Sequence, residues 1–141
     1  MPLVLASAVS SSTTSFADVT GLTFSLAAST NYYFRFVVHH SCSATTIGIR
    51  FAVNGPTSPT ALRVGGIIPI STVAANFGSQ TAYDTAIFAS TTGTTVTVMS
   101  IIEGVIQNAG NTGTLACRFA AETSTSNAAV VTGGTGFLLV I

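Results

Sequence analysis

Glu103 and Glu122 are the residues of this sequence that come nearest to a catalytic pair. Glycoside hydrolysis requires two carboxyl groups that flank the scissile bond. Nothing in the sequence around these two glutamates distinguishes them from structural acids, and no Gly-x-Ser-x-Gly motif supplies a serine nucleophile. We therefore assign no catalytic residue and predict a non-enzymatic protein, with glycan cleavage by Glu103 and Glu122 as the weakest hypothesis.

Two histidines and two cysteines are the remaining candidates for chemistry. His39 and His40 are adjacent, so on a strand they point to opposite faces and do not bind one ion together. The spacing of the acids and cysteines resembles no zinc or calcium motif. We predict neither a metal site nor a cofactor. Cys117 alternates with apolar residues, which favours buried free thiols, while a disulfide to Cys42 stays open.

Arg50 and Arg118 occur in two similar segments, residues 47–52 and 115–120, which are offset by 68 positions. Apolar side chains alternate in both segments, so each is predicted to be a half-buried strand with its arginine on the outer face. Such an arginine either binds carboxylate or carbonyl oxygens of a partner protein or contacts solvent. We favour the solvent-facing interpretation for each.

The similarity extends without a gap over residues 31–70 and 99–138. It predicts two similar antiparallel halves that pack together. In this alignment Arg35 coincides with Glu103, so the two halves carry opposite charges at equivalent positions. We hypothesise an ion pair between Arg35 and Glu103, either within one chain or between subunits.

Composition and periodicity predict an all-β protein. The sequence is rich in Thr, Ser, Val and Ile, and β-branched residues favour strands over helix interiors. Turn residues interrupt the apolar alternation about every 8 to 12 positions, as in sandwiches and barrels. We predict an antiparallel, jelly-roll-like β-sandwich of about nine strands. Residues 1–15 form an N-terminal arm or first strand and residues 16–141 a single domain, with a strand at 83–89 and an exposed loop at 71–81.

The small number of charges predicts that the protein works in an assembly. Charged residues make up 6% of the chain, against about a quarter in typical soluble proteins, so repulsion between copies is weak. The formal net charge is zero, which argues against nucleic acid as a partner. No apolar run approaches the roughly 18 residues of a spanning helix, so no membrane is expected either.

The C-terminal segment is the strongest candidate for a subunit contact. Residues 137–141 are all apolar rather than alternating, which is typical of a strand covered on both faces. The apolar arm and the Arg35–Glu103 pair are the other candidates. The predicted interface residues are Leu3, Leu5, Arg35, Glu103, Phe137, Leu139 and Ile141.

Several motifs carry a resemblance to a known group of proteins. Residues 16–24 read Phe-Ala-Asp-Val-Thr-Gly-Leu-Thr-Phe, and a Tyr-x-Phe-x-Val-Val strand, a Thr-Thr-Ile-Gly loop and an Asn-Gly-Pro turn follow. Ile-Ile-Glu-Gly stands at 101–104, before Gly-Thr-Leu-Ala-Cys-Arg-Phe-Ala-Ala-Glu at 113–122. From Phe16 onward the chain resembles a widespread group of tailed-bacteriophage virion proteins. These motifs are turns and core positions, so they indicate fold and context rather than a reaction.

The resemblance implies a β-sandwich module, often trimeric, on the outside of a phage particle. Such modules occur as capsid decoration (cement) proteins and at the ends of tail fibres. No stalk, coiled-coil heptad or collagen-like repeat precedes the module here, so we expect a cement protein. It would assemble in the host cytoplasm and bind the major capsid protein, or tail structural proteins, as a homotrimer on the outer capsid surface. The alternative is a tail-fibre or baseplate-type module that binds a receptor or glycan through residues 54–59 and 71–81.

Overall fold

The computed structural model describes residues 2–124 and 129–141. In chain order its strands are β1 (Leu3–Val4), β2 (Val9–Ser11), β3 (Ala17–Leu26), β4 (Asn31–Cys42), β5 (Ile49–Asn54), β6 (Ala61–Pro69), β7 (Ala75–Gln80), β8 (Val98–Gln107), β9 (Gly113–Ala121) and β10 (Ala129–Val140). All strand pairs are antiparallel, which confirms the predicted all-β class, with ten strands rather than about nine. No helix suited to crossing a membrane occurs among the described residues.

The strands form two sheets that face one another as a sandwich. The large sheet has seven strands in the order β1-β10-β4-β8-β6-β7, and β2 pairs with a second part of β10. The small sheet has the order β3-β9-β5. Alternate residues of β4 face inward, and Phe34 and Phe36 are fully buried there. The ring of Phe24 from the small sheet lies 5.9 Å from that of Phe36, so the aromatic strand forms the centre of the core as the alternation predicts.

Strand pairing relates the two halves of the sandwich by an approximate two-fold axis. Arg35 of β4 pairs with Glu103 of β8, and Phe51 of β5 pairs with Phe119 of β9. Both pairs join positions that are 68 residues apart, the offset of the sequence repeat. Because two equivalent residues that pair across antiparallel strands lie on either side of a local two-fold axis, one such axis passes through each pair. This pairing is what two similar halves would give.

The third strand of each half departs from the gap-free alignment. Gly65 of β6 pairs with Glu103, whereas Phe137 of β10 pairs with Arg35. Since Arg35 and Glu103 are equivalent, Gly65 is the structural counterpart of Phe137, although the sequence alignment places it opposite Gly133. The two halves thus carry different side chains at this flanking position.

The predictions of an exposed loop at 71–81 and a strand at 83–89 are both wrong. Residues 83–89 are not a strand, and β7 lies inside the predicted exposed loop and pairs with β6. Residues 83–89 still follow the edge of β5, where the amides of Asp84 and Ile87 donate to carbonyls of β5 at 3.0 and 2.9 Å. Asp84 has a φ of 51°, a left-handed conformation that interrupts an extended strand. The polar residues that concealed β7 in the sequence are typical of an edge strand.

The N-terminal arm lies along β10 of its own chain. Both β1 and β2 pair with β10, and the Leu5 amide donates to the Gly134 carbonyl at 2.8 Å. The Leu5 side chain is buried in the core. The arm therefore closes part of the β10 edge, up to the pairing of Leu3 with Gly136.

Candidate interaction surface

The outer face of the large sheet, which is the side turned away from the small sheet, carries the candidate interaction surface. Side chains alternate across a strand, so the residues of β4, β8, β6 and β10 that do not enter the core project from this side. The large apolar residues among them, with those of β1 and β7, are Val4, Val37, Ile67, Phe77, Met99, Ile101, Val105, Val130, Phe137 and Leu139. These positions give the outer face a largely apolar character.

The pairing register aligns these side chains in rows across the sheet. One row contains, from edge to edge, Val4, Thr135, Val37, Ile101, Ile67 and Phe77. Directly paired residues have Cβ atoms about 5 Å apart, so the row forms a band from β1 to β7. A second row contains Phe137, Arg35, Glu103, Gly65 and Ser79.

Several side chains of the outer face are open to solvent. Phe77 is 73% exposed, and Phe137 and Leu139 are 44% and 49% exposed. Met99 and Ile67 are also exposed. Monomeric proteins seldom present a wide contiguous apolar patch, and such patches mark sites of association. The outer face is therefore the strongest candidate for a functional surface among the described residues.

Arg35 and Glu103 form an ion pair at the centre of this face. Arg35 Nε lies 3.8 Å from Glu103 Oε2, and the Tyr33 hydroxyl donates to the same oxygen at 2.8 Å. This hydrogen bond to the carboxylate raises the pKa of Tyr33. The hypothesised pair is thus found within one chain. Both charged side chains are about half exposed, so the pair contributes at most about 1 kcal/mol to stability.

A shallow groove lies beside Gly65 on the same face. It has a volume of about 270 Å³ and is lined by Arg63, Val64, Gly65, Ser79, Gln80 and Thr81. Gly65 leaves space above the backbone at the position where the equivalent residue of the other half is Phe137. A Cβ atom at Gly65 would lie 3.3 Å from the Gly78 carbonyl oxygen, so a side chain fits there after a small adjustment of that strand.

The C-terminal part of β10 has one unpaired edge. Leu3 pairs with Gly136, and beyond that point no described strand pairs with this edge of β10. Val140 and Ile141 are 64% and 59% exposed. An apolar strand edge of this kind readily pairs or packs with another chain. Leu138 packs against the core, so only the outer face and the free edge of residues 137–141 lack cover from the described part of the chain.

The predicted interface residues fall into two groups. Arg35, Glu103, Phe137 and Leu139 lie together on the outer face, and Ile141 follows at the end of β10, where its amide donates to the Asn31 carbonyl. Leu3 is half-buried and Leu5 is buried, so these two side chains pack in their own chain.

Sequence reasoning missed four exposed members of the outer face, which are Val4, Ile67, Phe77 and Met99. Alternation within β6 and β8 contains the signal for Ile67 and Met99. Phe77 gives no such signal, because its neighbours in β7 are polar.

The outer side of the small sheet is built differently, around Arg50 and Arg118. Arg50 pairs with Ala120 across the strands and Arg118 with Ala52, and both alanines are fully buried. The repeated Arg-Phe-Ala triplet therefore has a physical explanation. Its phenylalanine enters the core, and each small alanine leaves room for the arginine of the opposite strand.

The two arginines lie on the outer side of the sheet, as predicted, but they contact acids and carbonyl groups of their own chain rather than solvent alone. Arg118 Nε lies 2.9 Å from Asp18 Oδ1, the same guanidinium pairs with Asp84, and it donates to the Phe16 carbonyl at 2.9 Å. The Arg118 side chain is only 22% exposed. Its partners are distant in the sequence, which is why the strand pattern alone does not reveal them.

Arg50 occupies the matching position in the other half of the small sheet. Arg50 Nε lies 3.3 Å from Glu122 Oε2, and the guanidinium carbon lies 5.0 Å from the centre of the Phe16 ring. Arg50 also donates to the Thr14 carbonyl. Both arginines therefore hold the segment that leads into β3. We refer to Arg50, Arg118, Asp18, Asp84 and Glu122 as the arginine cluster.

Glu103 and Glu122, the candidate pair for glycan cleavage, lie at different sheets. Glu103 lies on the outer face of the large sheet beside Arg35, whereas Glu122 follows β9 in the small sheet and pairs with Arg50. Among residues 2–124 and 129–141 no group of three or more His, Cys, Asp or Glu side chains is arranged to hold a metal ion.

The two histidines point to opposite faces of β4, as predicted. His39 is exposed, whereas His40 is buried with Nε2 at 2.6 Å from Ser100 Oγ and its ring 5.2 Å from that of Phe51. Burial lowers the pKa of His40 to about 4. His40 is therefore neutral at neutral pH and belongs to the core.

Cys42 and Cys117 are both buried and both free, in agreement with the favoured interpretation. Burial raises the pKa of each thiol. Since the thiolate is the reactive form, neither cysteine is placed for nucleophilic or redox chemistry.

No protein-family model matches this sequence, and no curated protein matches it either.

Proposed function

We propose that this protein is a non-enzymatic structural protein of a virion, which binds the outer capsid surface as a homotrimer and stabilises the head. The open apolar outer face of the large sheet is the observation that carries the proposal. The resemblance of the chain from Phe16 onward to tailed-phage virion proteins is the reason for proposing a phage particle. The partner is then the major capsid protein, in addition to further copies of the chain.

The energetics of an apolar sheet face suit such a role. Burial of apolar surface contributes roughly 25 cal/mol per Å², and specific protein interfaces bury on the order of 1,600 Å² in total. A decoration protein needs only modest affinity at each site, because many copies act on one particle. With charged residues at 6% of the chain, little electrostatic repulsion opposes the crowding of copies on a shell.

The state of the polar side chains supports a structural role. The arginine cluster consists of ion pairs within the chain, and His40 is bonded to Ser100. Both thiols are buried. The arginine cluster, His40 and both cysteines thus serve the fold, whereas the outer face has large side chains without partners in the described part of the chain.

One observation favours the alternative function, a tail-fibre or baseplate-type module that binds a glycan. The groove beside Gly65 is lined by Ser79, Gln80 and Thr81, and the exposed ring of Phe77 lies on the same strand. Pockets that combine an apolar surface with a few polar groups are typical of small-ligand sites. This groove includes part of the segment 71–81 for which receptor contact is the alternative expectation.

Quantitative mass spectrometry of purified particles that contain this protein tests the proposal. A capsid decoration protein is expected at a copy number comparable to that of the major capsid protein, and its removal should lower the temperature at which heads release DNA. A few copies per particle, located at the tail, together with binding of the isolated protein to host cells, would contradict capsid decoration and support the glycan-binding alternative.

A further inference from the structure

We propose that the outer face binds a second copy of this chain through two complementary halves. The knob half consists of the outward residues of β10 and β4, and the groove half consists of those of β8 and β6. In the proposed contact the knob half of one copy packs on the groove half of the next. This inference rests on the self-association in the proposed function, and it specifies which residues meet.

The internal two-fold axis makes the two halves comparable position by position. It passes between Arg35 and Glu103, so β4 is equivalent to β8, and β10 is equivalent to β6. A face with true two-fold symmetry would present identical groups on both sides of this axis. Equivalent positions that carry different side chains therefore show how the surfaces of the two halves differ.

The first departure is charge. At the central equivalent positions the knob half carries Arg35 and the groove half carries Glu103, and both side chains are about half exposed. Each charge thus remains accessible to a group approaching from above the sheet. When the knob half of one copy lies on the groove half of another, Arg35 meets the Glu103 of that copy. The opposite arrangement, Arg35 against Arg35, is disfavoured because like charges at an interface repel.

The second departure is shape. One strand away from the charges, the knob half carries the exposed ring of Phe137, and the groove half has Gly65 and the groove of about 270 Å³ beside it. Phe137, Arg35, Glu103 and Gly65 lie in one row across the sheet. The contact that joins Arg35 to Glu103 of the next copy also brings Phe137 to its groove. An aromatic side chain that fills a pocket at the centre of an interface is a common source of binding energy.

The differences in charge and in shape between the two halves together point to a second copy of this chain as the binding partner. Each copy carries both a knob half and a groove half, so the knob half of one copy is complementary to the groove half of another. The most exposed apolar side chains at the two sheet edges, Val4 and Phe77, lie on the knob and groove sides respectively. The apolar band thus extends the same complementarity beyond the central row.

A charge-exchange experiment on the isolated full-length protein tests this contact. Arg35→Glu and Glu103→Arg each place like charges opposite one another between identical copies. Sedimentation velocity should show that each variant alone associates at least about tenfold more weakly than the wild type. An equimolar mixture should form species that contain both chains, because the glutamate introduced into one chain then meets the arginine introduced into the other.

The mixture separates contact between chains from contact within a chain. An ion pair that acts only inside one chain stays broken in every molecule of the mixture, so mixing would restore nothing. Wild-type protein that stays monomeric throughout the micromolar range, or variants that associate as strongly as the wild type, would also overturn the proposal. Circular dichroism and thermal unfolding of each variant confirm that the compared chains are folded.

A second pair of variants tests the shape complementarity independently. Phe137→Ser removes the knob and Gly65→Phe fills the groove, and both substitutions should weaken association. Val73→Ser is the matched control, since Val73 is 94% exposed and lies outside the strands of the outer face. Loss of association in the control, or its retention in both test variants, would contradict the proposed fit. None of these results depends on the capsid, so they are separable from the copy-number measurement.

Discussion

The two outward sides of the sandwich are built from equivalent strands of the same internal repeat, yet they differ in what covers them. On the small sheet, each arginine lies beside a buried alanine and contacts acids and carbonyl groups of its own chain. On the large sheet, the band from Val4 to Phe77 has no cover from the described residues. The outer side of the small sheet is thus covered by contacts within one chain, whereas the outer side of the large sheet is suited to bind another chain.

Arginine truncation should separate the two sides most clearly. Arg118→Ala removes the partner of two partly exposed carboxylates and is expected to lower the free energy of unfolding by about 2 kcal/mol, within the range for hydrogen bonds to charged groups. Arg35→Ala, on the outer face, is expected to cost less than about 1 kcal/mol. Urea unfolding of both variants at a concentration where the protein is monomeric measures the difference. Equal losses would remove the distinction between the two sides.

Acidification should distinguish the two faces of β4. The pKa of His40 is about 4 in the folded chain and 6.5 when unperturbed, so the unfolded chain binds a proton more readily between these values. The contribution of His40 to the free energy of unfolding is therefore fully present above about pH 6.5. It decreases as the pH is lowered, by about 2 kcal/mol down to roughly pH 5. Unfolding curves across this range measure the slope.

Single-histidine variants provide the control for the acid response. His40→Gln should abolish this part of the pH dependence, whereas His39→Gln, on the exposed side of the same strand, should retain it. A His40→Gln protein with an unchanged slope would show that other groups cause the acid response.

The smallest effect on stability, with a clear effect on association, is expected at the exposed edge of the outer face. Phe77 is 73% exposed, so Phe77→Ser should change the free energy of unfolding of the monomer by less than about 0.5 kcal/mol. Its association constant should nevertheless fall, because the band loses its largest ring. A large loss of monomer stability would mean that Phe77 serves the chain's own fold.

The predictable part of this fold follows from local periodicity and from the repeat. Alternation in β4 indicates its core face, and the offset between Arg50 and Arg118 predicts both the pairing of halves and the contact of Arg35 with Glu103. These features require only that side chains alternate and that similar segments fold alike. The alignment fails at Gly65, because the register of β10 on β4 differs from that of β6 on β8.

The unpredicted part depends on contacts between distant segments. The environment of Arg118 is set by Asp18 and Asp84, which no local pattern associates with it. Likewise, β7 is polar enough to resemble a loop, and its identity as a strand comes from pairing with β6. Of the outer face, the sequence predicts the charge pair and the end of β10, but not the continuous band, since rows across a sheet exist only once the register is known.

Hydroxyl-radical footprinting at low and high micromolar concentration tests most directly whether the outer face is the surface of association. If copies associate through the outer face, Met99, Phe77 and Phe137 become protected from oxidation as the concentration increases, while Phe16, beside the arginine cluster, is oxidised at the same rate at both concentrations. Protection at Phe16 with unchanged oxidation of the outer-face residues would show that copies associate through another surface.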